Sequence, residues 1–314
     1  MKLVTYDPPH GATPRLGAFL NENPALIADL GSGFPSMLAL IDAGEAGLSD
    51  ARARLLRPET TVPRTDVRLL APLPEPRQVR DAMCFELHYK QGIRGMAELR
   101  AGKWLGRAAT LLGAARIPRV WYQMPTYFKC NRFSVVGDGA DVVWPQGAQL
   151  MDYELELAVV IGKPGKDIAR EDALSHVFGY TIFNDMSARD IQEKEIRASL
   201  GPAKSKDFDT GNVFGPCIVT RDELTDPYTL TMEARVNGAL WGRGHSSSMH
   251  HRWEDVIAHV SKNETLHAGE IIGSGTVGNG CGLELGRFLQ AGDTVELSIS
   301  GIGTLTNRLV QPHA

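Results

Sequence analysis

Several signatures are scarce or missing in this 314-residue chain. Its four cysteines, Cys84, Cys130, Cys217 and Cys281, form no CxxC pair, which argues against a zinc ribbon or a dense disulfide framework and fits a reducing cytosol. No apolar run reaches the roughly 18 residues a membrane span needs, and Met1-Lys2-Leu3-Val4 opens no sustained apolar leader, so a cytoplasmic location is expected. No long basic run interrupts the balance of 33 Lys and Arg against 37 Asp and Glu, so neither nucleic acid nor a membrane is an expected partner. Internal repeats, low-complexity tracts and phosphate-binding glycine motifs are absent as well. What is present is a 43% hydrophobic share, enough to bury a substantial core in one large domain or a large one plus a small one.

Lys2–Tyr6, Arg15–Phe19 and Ala25–Asp29 read as short strands between Pro and Gly turns, and helical spacing follows from Ser36 to about Leu56. Pro58, Pro63, Pro72, Pro74 and Pro76 then crowd one stretch, which reads as a linker because proline lacks the donor that helix and strand interiors need. This divides the chain into a small N-terminal α/β module, residues 1–72, and a main domain, residues 77–314. Met96, Leu99, Leu105, Ala109 and Leu112 predict one or two amphipathic helices over Met96–Ala115. Beyond them strands dominate: Asp152–Ile161, Val177–Phe183, Tyr228–Val236 and Thr294–Ser300. The expected class is mainly β with α.

In Asp152-Tyr153-Glu154-Leu155-Glu156-Leu157, acids and apolar residues alternate with the period of a strand, so three carboxylates share one face. Glu154 and Glu156 would lie roughly 6–7 Å apart, placed to converge on one ion. Read alone, the pattern also fits a half-exposed strand with an acidic solvent face. The apolar strand from Val177 ends at Asn184-Asp185-Met186-Ser187-Ala188-Arg189-Asp190-Ile191-Gln192. Asp185 or Ser187 could serve there as a helix N-cap, and Arg189 and Gln192, spaced i, i+3, would offer a cation and an amide from one helical face to an anionic substrate.

The Glu154-x-Glu156 strand, the Asn184–Gln192 segment and Gly273-Ser274-Gly275-Thr276, in this order and spacing, resemble the fumarylacetoacetate hydrolase family from roughly Arg77 to the C-terminus. The resemblance implies a rolled mixed sheet, a homodimer and one metal site per subunit. It makes Glu154, Glu156 and Asp185, with Asp81, ligands of Mg2+, Ca2+ or Mn2+, ions that suit all-oxygen ligands. His88 matches the general base. Glu284 matches the glutamate that orients it in the fumarylacetoacetase branch, whereas the acylpyruvase branch places that glutamate three residues after the histidine, where this chain has Gln91. Lys206, with Lys204 as the nearby alternative, matches an active-site lysine, and Thr276 a substrate hydrogen-bonding residue. Tyr127 and Phe128 fall near a substrate-contacting aromatic, and either also fits core packing. The cluster His245–His251 has no metal-site spacing and reads as a mobile loop near the pocket.

The resemblance implies a metal-dependent hydrolase that cleaves a carbon–carbon bond in a fumarylacetoacetate-like or acylpyruvate-like 1,3-dicarbonyl acid, with water activated by His88 and Glu284. A decarboxylase, tautomerase or hydratase of a 2-oxo acid would use the same metal platform, and a non-catalytic ligand-binding protein would keep the metal without the base.

Overall fold

The computed structural model describes residues 1–8, 13–113, 116–199 and 201–312. The chain begins with strands β1 (Lys2–Asp7), β2 (Arg15–Leu20) and β3 (Asn23–Asp29), close to the spans their alternation predicts. Helices α1 (Met37–Asp42) and α2 (Gly44–Leu56) follow, and the Ser36 hydroxyl caps α1 by accepting from the Ala39 amide. Within the proline-rich stretch expected as a linker, β4 (Thr61–Pro63) pairs with β3 and Arg68–Leu69 pairs with β1, whereas Pro72, Pro74 and Pro76 lie outside the strands.

The main body contributes β5 (Gln78–Ala82), α3 (Glu86–Ala101), α4 (Lys103–Leu111), β6 (Tyr127–Cys130), β7 (Leu155–Ile161), β8 (Val177–Asp185), α5 (Arg189–Arg197) and β9 (Asn212–Thr220). After these come β10 (Thr231–Val236), β11 (Ala239–His245), α6 (Trp253–Val260), β12 (Glu270–Gly273), α7 (Gly282–Leu285), β13 (Thr294–Ile299) and β14 (Gly303–Val310). The central sheet runs β4-β3-β2-β1-β9-β8-β7-β12-β5-β6, and β1 joins β9 with Leu3 opposite Ile218, so the N-terminal strands continue it. A second sheet runs β11-β10-β13-β14 and ends on Asp141–Val143. The class is mainly β with α, as the sequence predicts.

Every residue of β7 is buried, because both faces of the central sheet are covered. Leu155, Leu157, Val159 and Ile161 pack toward the second sheet, while Ala158 and Val160 join the core shared with α1 and α2. The helical segment predicted over Met96–Ala115 is two helices broken at Gly102, whose φ of +81° suits glycine. Leu105 and Leu112 are exposed there, not inward, and Ala114 and Ala115 lie outside the described residues. Among the described residues no helix is long and apolar enough to cross a membrane.

Candidate active site

β8, β7, β12 and β5 are consecutive in the sheet, and they form the floor of the site. Strand parity puts Glu156 on the same face as Ala158, Asp185 on that of Phe183, and Asp81 on that of Val79. The carboxylates of Asp81, Glu156 and Asp185 offer oxygens that all lie within 4.8 Å of one another. The strand between them contributes Gly273, and the missing side chain is what lets them meet. A Cβ at that position would lie 2.7 Å from both Asp81 Oδ1 and Glu156 Oε2. The Gly275 amide, at φ +72°, then donates to the same two oxygens at 3.0 Å each.

The acids at 152, 154 and 156 are all buried, so the solvent-facing strand is not what this alternation encodes. Nor does Asp185 cap a helix: it ends β8, and α5 begins after Ala188 without a side-chain cap. Lys206 Nζ reaches into the cluster, donating to Glu154 Oε2 at 2.6 Å and to Asp185 Oδ2. Lys204 stays exposed, so of the two lysines it is Lys206 that enters the site. Arg189 is buried beside it and pairs with Asp152 Oδ2 and Glu154 Oε1, each at 2.7 Å.

Charge is therefore unevenly shared. Burial pushes Glu154 up, but Lys206, Arg189 and His88 outweigh burial and hold it below the usual carboxylate range. Burial also pushes Asp81 up to about 6, and it drives Glu156 and Asp185 well above their ordinary values, because one lysine cannot balance three adjacent acids. Among the described residues, the buried Asp185 Oδ1 has no hydrogen-bond partner. An all-oxygen donor set with excess negative charge and an orphaned acceptor fits a hard divalent cation. Asp81, Glu156 and Asp185 are the residues placed to hold one, with Glu154 turned toward Lys206 at its edge.

His88 lies in the first turn of α3, and its Nδ1 is 3.0 Å from Glu284 Oε1 in α7. Burial disfavours the charged imidazole, yet the Glu284 charge and hydrogen bond outweigh it and raise its pKa. With Nδ1 held, Nε2 is the nitrogen free to act on the cavity that His88 lines. Gln91, the alternative partner position, instead exchanges hydrogen bonds with Asn279 at 2.7 and 3.2 Å.

The cavity over this floor measures about 530 Å3, and Thr276, Gln192, Arg189, Lys206 and Phe128 help to line it. Thr276 Oγ1 lies 3.5 Å from Glu156 Oε1. Tyr127 is not among the lining residues. Its ring meets His259 edge-on at 6.3 Å, while Phe128, one residue on and hence on the opposite strand face, lies under Lys206 Nζ at 5.7 Å. The Arg189 and Gln192 side chains do emerge together, but they also bond each other, Nη1 to Oε1 at 2.8 Å. His250 and His251 meet Trp121, by stacking at 4.8 Å and by a 2.6 Å hydrogen bond from ring to carbonyl, while His245, Ser247, Ser248 and His250 are exposed, and no residue of this segment is among those that line the cavity.

Sequence reasoning passed over Asp152. Its Oδ1 accepts from the Gly282 amide at 2.7 Å, and its Oδ2 accepts from the Leu283 amide at 2.9 Å and from Arg189 Nε at 2.8 Å. One buried carboxylate thus fastens the turn that carries Glu284 to the cation that holds Glu154. The alternation with Glu154 and Glu156 was the available signal, since it puts Asp152 on their face.

Residues 102–310 match the family described as fumarylacetoacetate (FAA) hydrolase, C-terminal. A human mitochondrial oxaloacetate tautomerase is 34% identical over 315 residues, covering 99% of this chain and 92% of its own. The structure is similar to that of a fumarylacetoacetate hydrolase from Exiguobacterium antarcticum, at a TM-score of 0.76 and 30% identity, covering 99% of this chain and 100% of that one. It is also similar to a maleylpyruvate hydrolase from Sphingobium sp. SYK-6 in complex with manganese(II) and pyruvate, at a TM-score of 0.74 and 25% identity, with both chains fully covered.

Proposed function

Because the chain belongs to the fumarylacetoacetate hydrolase family, we propose that it is a divalent-metal-dependent tautomerase of 2-oxo dicarboxylic acids of the oxaloacetate class. The observation that carries this reading is His88, held by Glu284, lining the same cavity as Asp81 and Glu156, on which the buried Asp185 converges from behind. The likeness to an oxaloacetate tautomerase along nearly the whole chain moves proton transfer ahead of the hydrolysis expected first from the sequence.

Asp81, Glu156 and Asp185 would hold Mg2+ or Mn2+, with Ca2+ a third candidate, and the ion would supply a Lewis acid for the oxygens of the 2-oxo acid. His88, keeping its Nδ1 proton on Glu284, takes a proton through Nε2 from the carbon beside the carbonyl. The electron pair of that C–H bond becomes the new carbon–carbon double bond as the carbonyl π pair moves onto oxygen, and the imidazolium returns the proton to that oxygen, so the enol forms with no net gain or loss. Lys206 and Arg189 hold Glu154 and offset part of the negative charge that a substrate carboxylate would meet there. Gln192 and Thr276 orient the acid by hydrogen bonds, and Phe128, not Tyr127, supplies the aromatic wall.

A second reading, hydrolysis of a carbon–carbon bond, draws on the likeness to two hydrolases and uses the same dyad to deprotonate water. Product analysis separates the two. Incubated with oxaloacetate, acylpyruvates and Mn2+, a tautomerase interconverts keto and enol forms and exchanges the C3 protons with solvent deuterium. Two smaller acids in stoichiometric yield would establish the hydrolase instead, and loss of carbon dioxide a decarboxylase. We also propose a cytoplasmic homodimer, which light scattering at micromolar concentration tests for its oligomeric part.

A further inference from the structure

A second group of ligating atoms lies behind the cavity wall. A ring nitrogen of His88, the sulfur of Cys281 and a carboxylate oxygen of Glu284 lie within 4.8 Å of one another, and all three side chains are buried. Zinc holds sulfur at about 2.3 Å and nitrogen or oxygen at about 2.1 Å, which sets tetrahedral ligand atoms about 3.5 Å apart, so small side-chain rotations close this group on one ion. Among the described residues Cys84, Cys130 and Cys217 join no such group.

One turn of chain fixes two of the three. The Cys281 amide donates to Glu284 Oε2 at 3.1 Å, and the Glu284 amide donates to the Cys281 sulfur, so the two side chains hold each other at the start of α7. A bridge from Cys281 to Glu154 fastens the same turn beside β7. His88 arrives from α3 with Nδ1 3.0 Å from Glu284 Oε1. His88 and Leu283 both line the cavity, so an ion reaches the group past a single layer of side chains.

We propose that His88, Cys281 and Glu284 form a binding site for a thiophilic divalent cation, zinc or cadmium, with ligands separate from those of the carboxylate floor. A thiolate and an imidazole favour these softer ions, whereas an all-oxygen set favours Mg2+ or Mn2+. The charges also balance. One carboxylate, one thiolate and a neutral imidazole cancel the dication, and the Cys281 thiol gives up its proton as the ion binds. The ion takes the place of the hydrogen between Nδ1 and Glu284. The Nδ1 lone pair then binds the metal, the proton passes through solvent to Nε2, and the nitrogen on the cavity side has no lone pair left for a substrate proton. Loss of turnover on zinc binding rests on the reading of His88 as the base; the binding itself does not.

The test uses the full chain with saturating Mn2+. Zinc is titrated by calorimetry, and cobalt(II) serves in parallel as a probe, because a thiolate ligand gives it an intense near-ultraviolet charge-transfer band that oxygen ligands do not. The expected result is one zinc per chain beyond the manganese, release of at least one proton with it, and the cobalt band. C3 exchange of oxaloacetate should slow at least about tenfold, at a zinc midpoint that added Mn2+ does not raise. Cys281→Ser and Cys281→Ala, each compared with its own zinc-free rate, should lose the band and need at least about tenfold more zinc for the same fractional loss. His88→Ala should weaken zinc binding at least about tenfold in calorimetry, a readout that needs no turnover. A parent protein without the cobalt band, or a zinc affinity that neither the Cys281 variants nor His88→Ala change, overturns the inference. Inhibition that manganese relieves and both Cys281 variants retain puts zinc on the floor and overturns it as well. If band and affinity depend on Cys281 while exchange runs undiminished, the metal site stands and proton transfer through His88 fails.

Discussion

Asp29 ends strand β3 and Asp185 ends strand β8, and the two carboxylates meet opposite surroundings. Asp29 accepts from Arg15 Nε at 2.6 Å, Arg15 Nη2 at 3.0 Å, the Tyr6 hydroxyl at 2.8 Å and the Gly31 amide at 2.6 Å. Burial alone would push its pKa up, but these donors outweigh burial and hold it below the usual range. Ion pairs of the same one-to-one kind join Asp42 to Arg77 and Asp7 to Arg68. Asp185 shares a single lysine with Glu154 and sits against Asp81 and Glu156, and burial drives it upward. Acids matched one to one lend the outer strands modest stability. Acids gathered without enough cations cost stability, and the charge they lack is the charge a divalent ion brings.

The largest effect that would sharpen this contrast is removal of one floor acid. Asp185→Asn should abolish Mn2+ binding in calorimetry and reduce turnover to background, while the fold persists in circular dichroism. In the parent protein, Mn2+ at a hundredfold excess over its Kd should add about 2.7 kcal/mol of stability, and the variant should lose that gain. Equal metal-induced stabilisation in both would break the contrast. Next in size is the base. His88→Ala should lower kcat by about 10²–10⁴ with metal binding kept, and Glu284→Gln should act in the same direction but less; full turnover in His88→Ala would end proton transfer through this residue. Asp152→Asn should cost about 10–100-fold in kcat with KM little changed, as expected of a residue acting through Glu284 and Arg189, and stopped-flow exchange under saturating substrate reads it.

The smallest effect belongs to the balanced region. Asp29→Asn should cost about 0.5–1 kcal/mol at neutral pH, since Arg15 is partly exposed and screened. The sign follows from a folded pKa below the unfolded one. The contribution is complete above the unfolded value of about 4 and fades as pH falls through the folded value. Urea denaturation at pH 7 and near pH 3 should therefore show the gap between parent and variant closing in acid. A gap that widens in acid would mean that Asp29 is not held ionised by its partners.

How legible the molecule is from its sequence differs by element for physical reasons. The N-terminal strands could be read from local alternation because their faces are decided by near neighbours; strand parity put residues 154 and 156 on one face, but it left that face open to solvent or core, and only the family resemblance drew them together with Asp185. Tyr127 and Phe128 could not be separated, since parity within a strand is clear only once one residue's face is known. The role of Asp152 depends on amides 130 and 131 residues later, and the Glu284–His88 contact spans 196 residues, distances over which no periodic pattern carries information. Arg189 and Gln192 were placed correctly on one helix face, but whether a guanidinium faces a ligand or its own chain is settled by partners on other strands.

Gly273 gives the floor an unequal tolerance. Exchanging Asp for Glu at residue 81 or 185 alters the reach of a flexible group by one methylene, which rotation about side-chain bonds can absorb. A methyl at residue 273 has no such freedom, because its position is set by the backbone of β12 and it would stand 2.7 Å from oxygens of Asp81 and Glu156 and 2.8 Å from the Phe183 ring. The acids can therefore be traded among themselves during redesign of the ion's coordination, whereas the empty place between them is a fixed dimension of the scaffold and sets the size of whatever the acids surround.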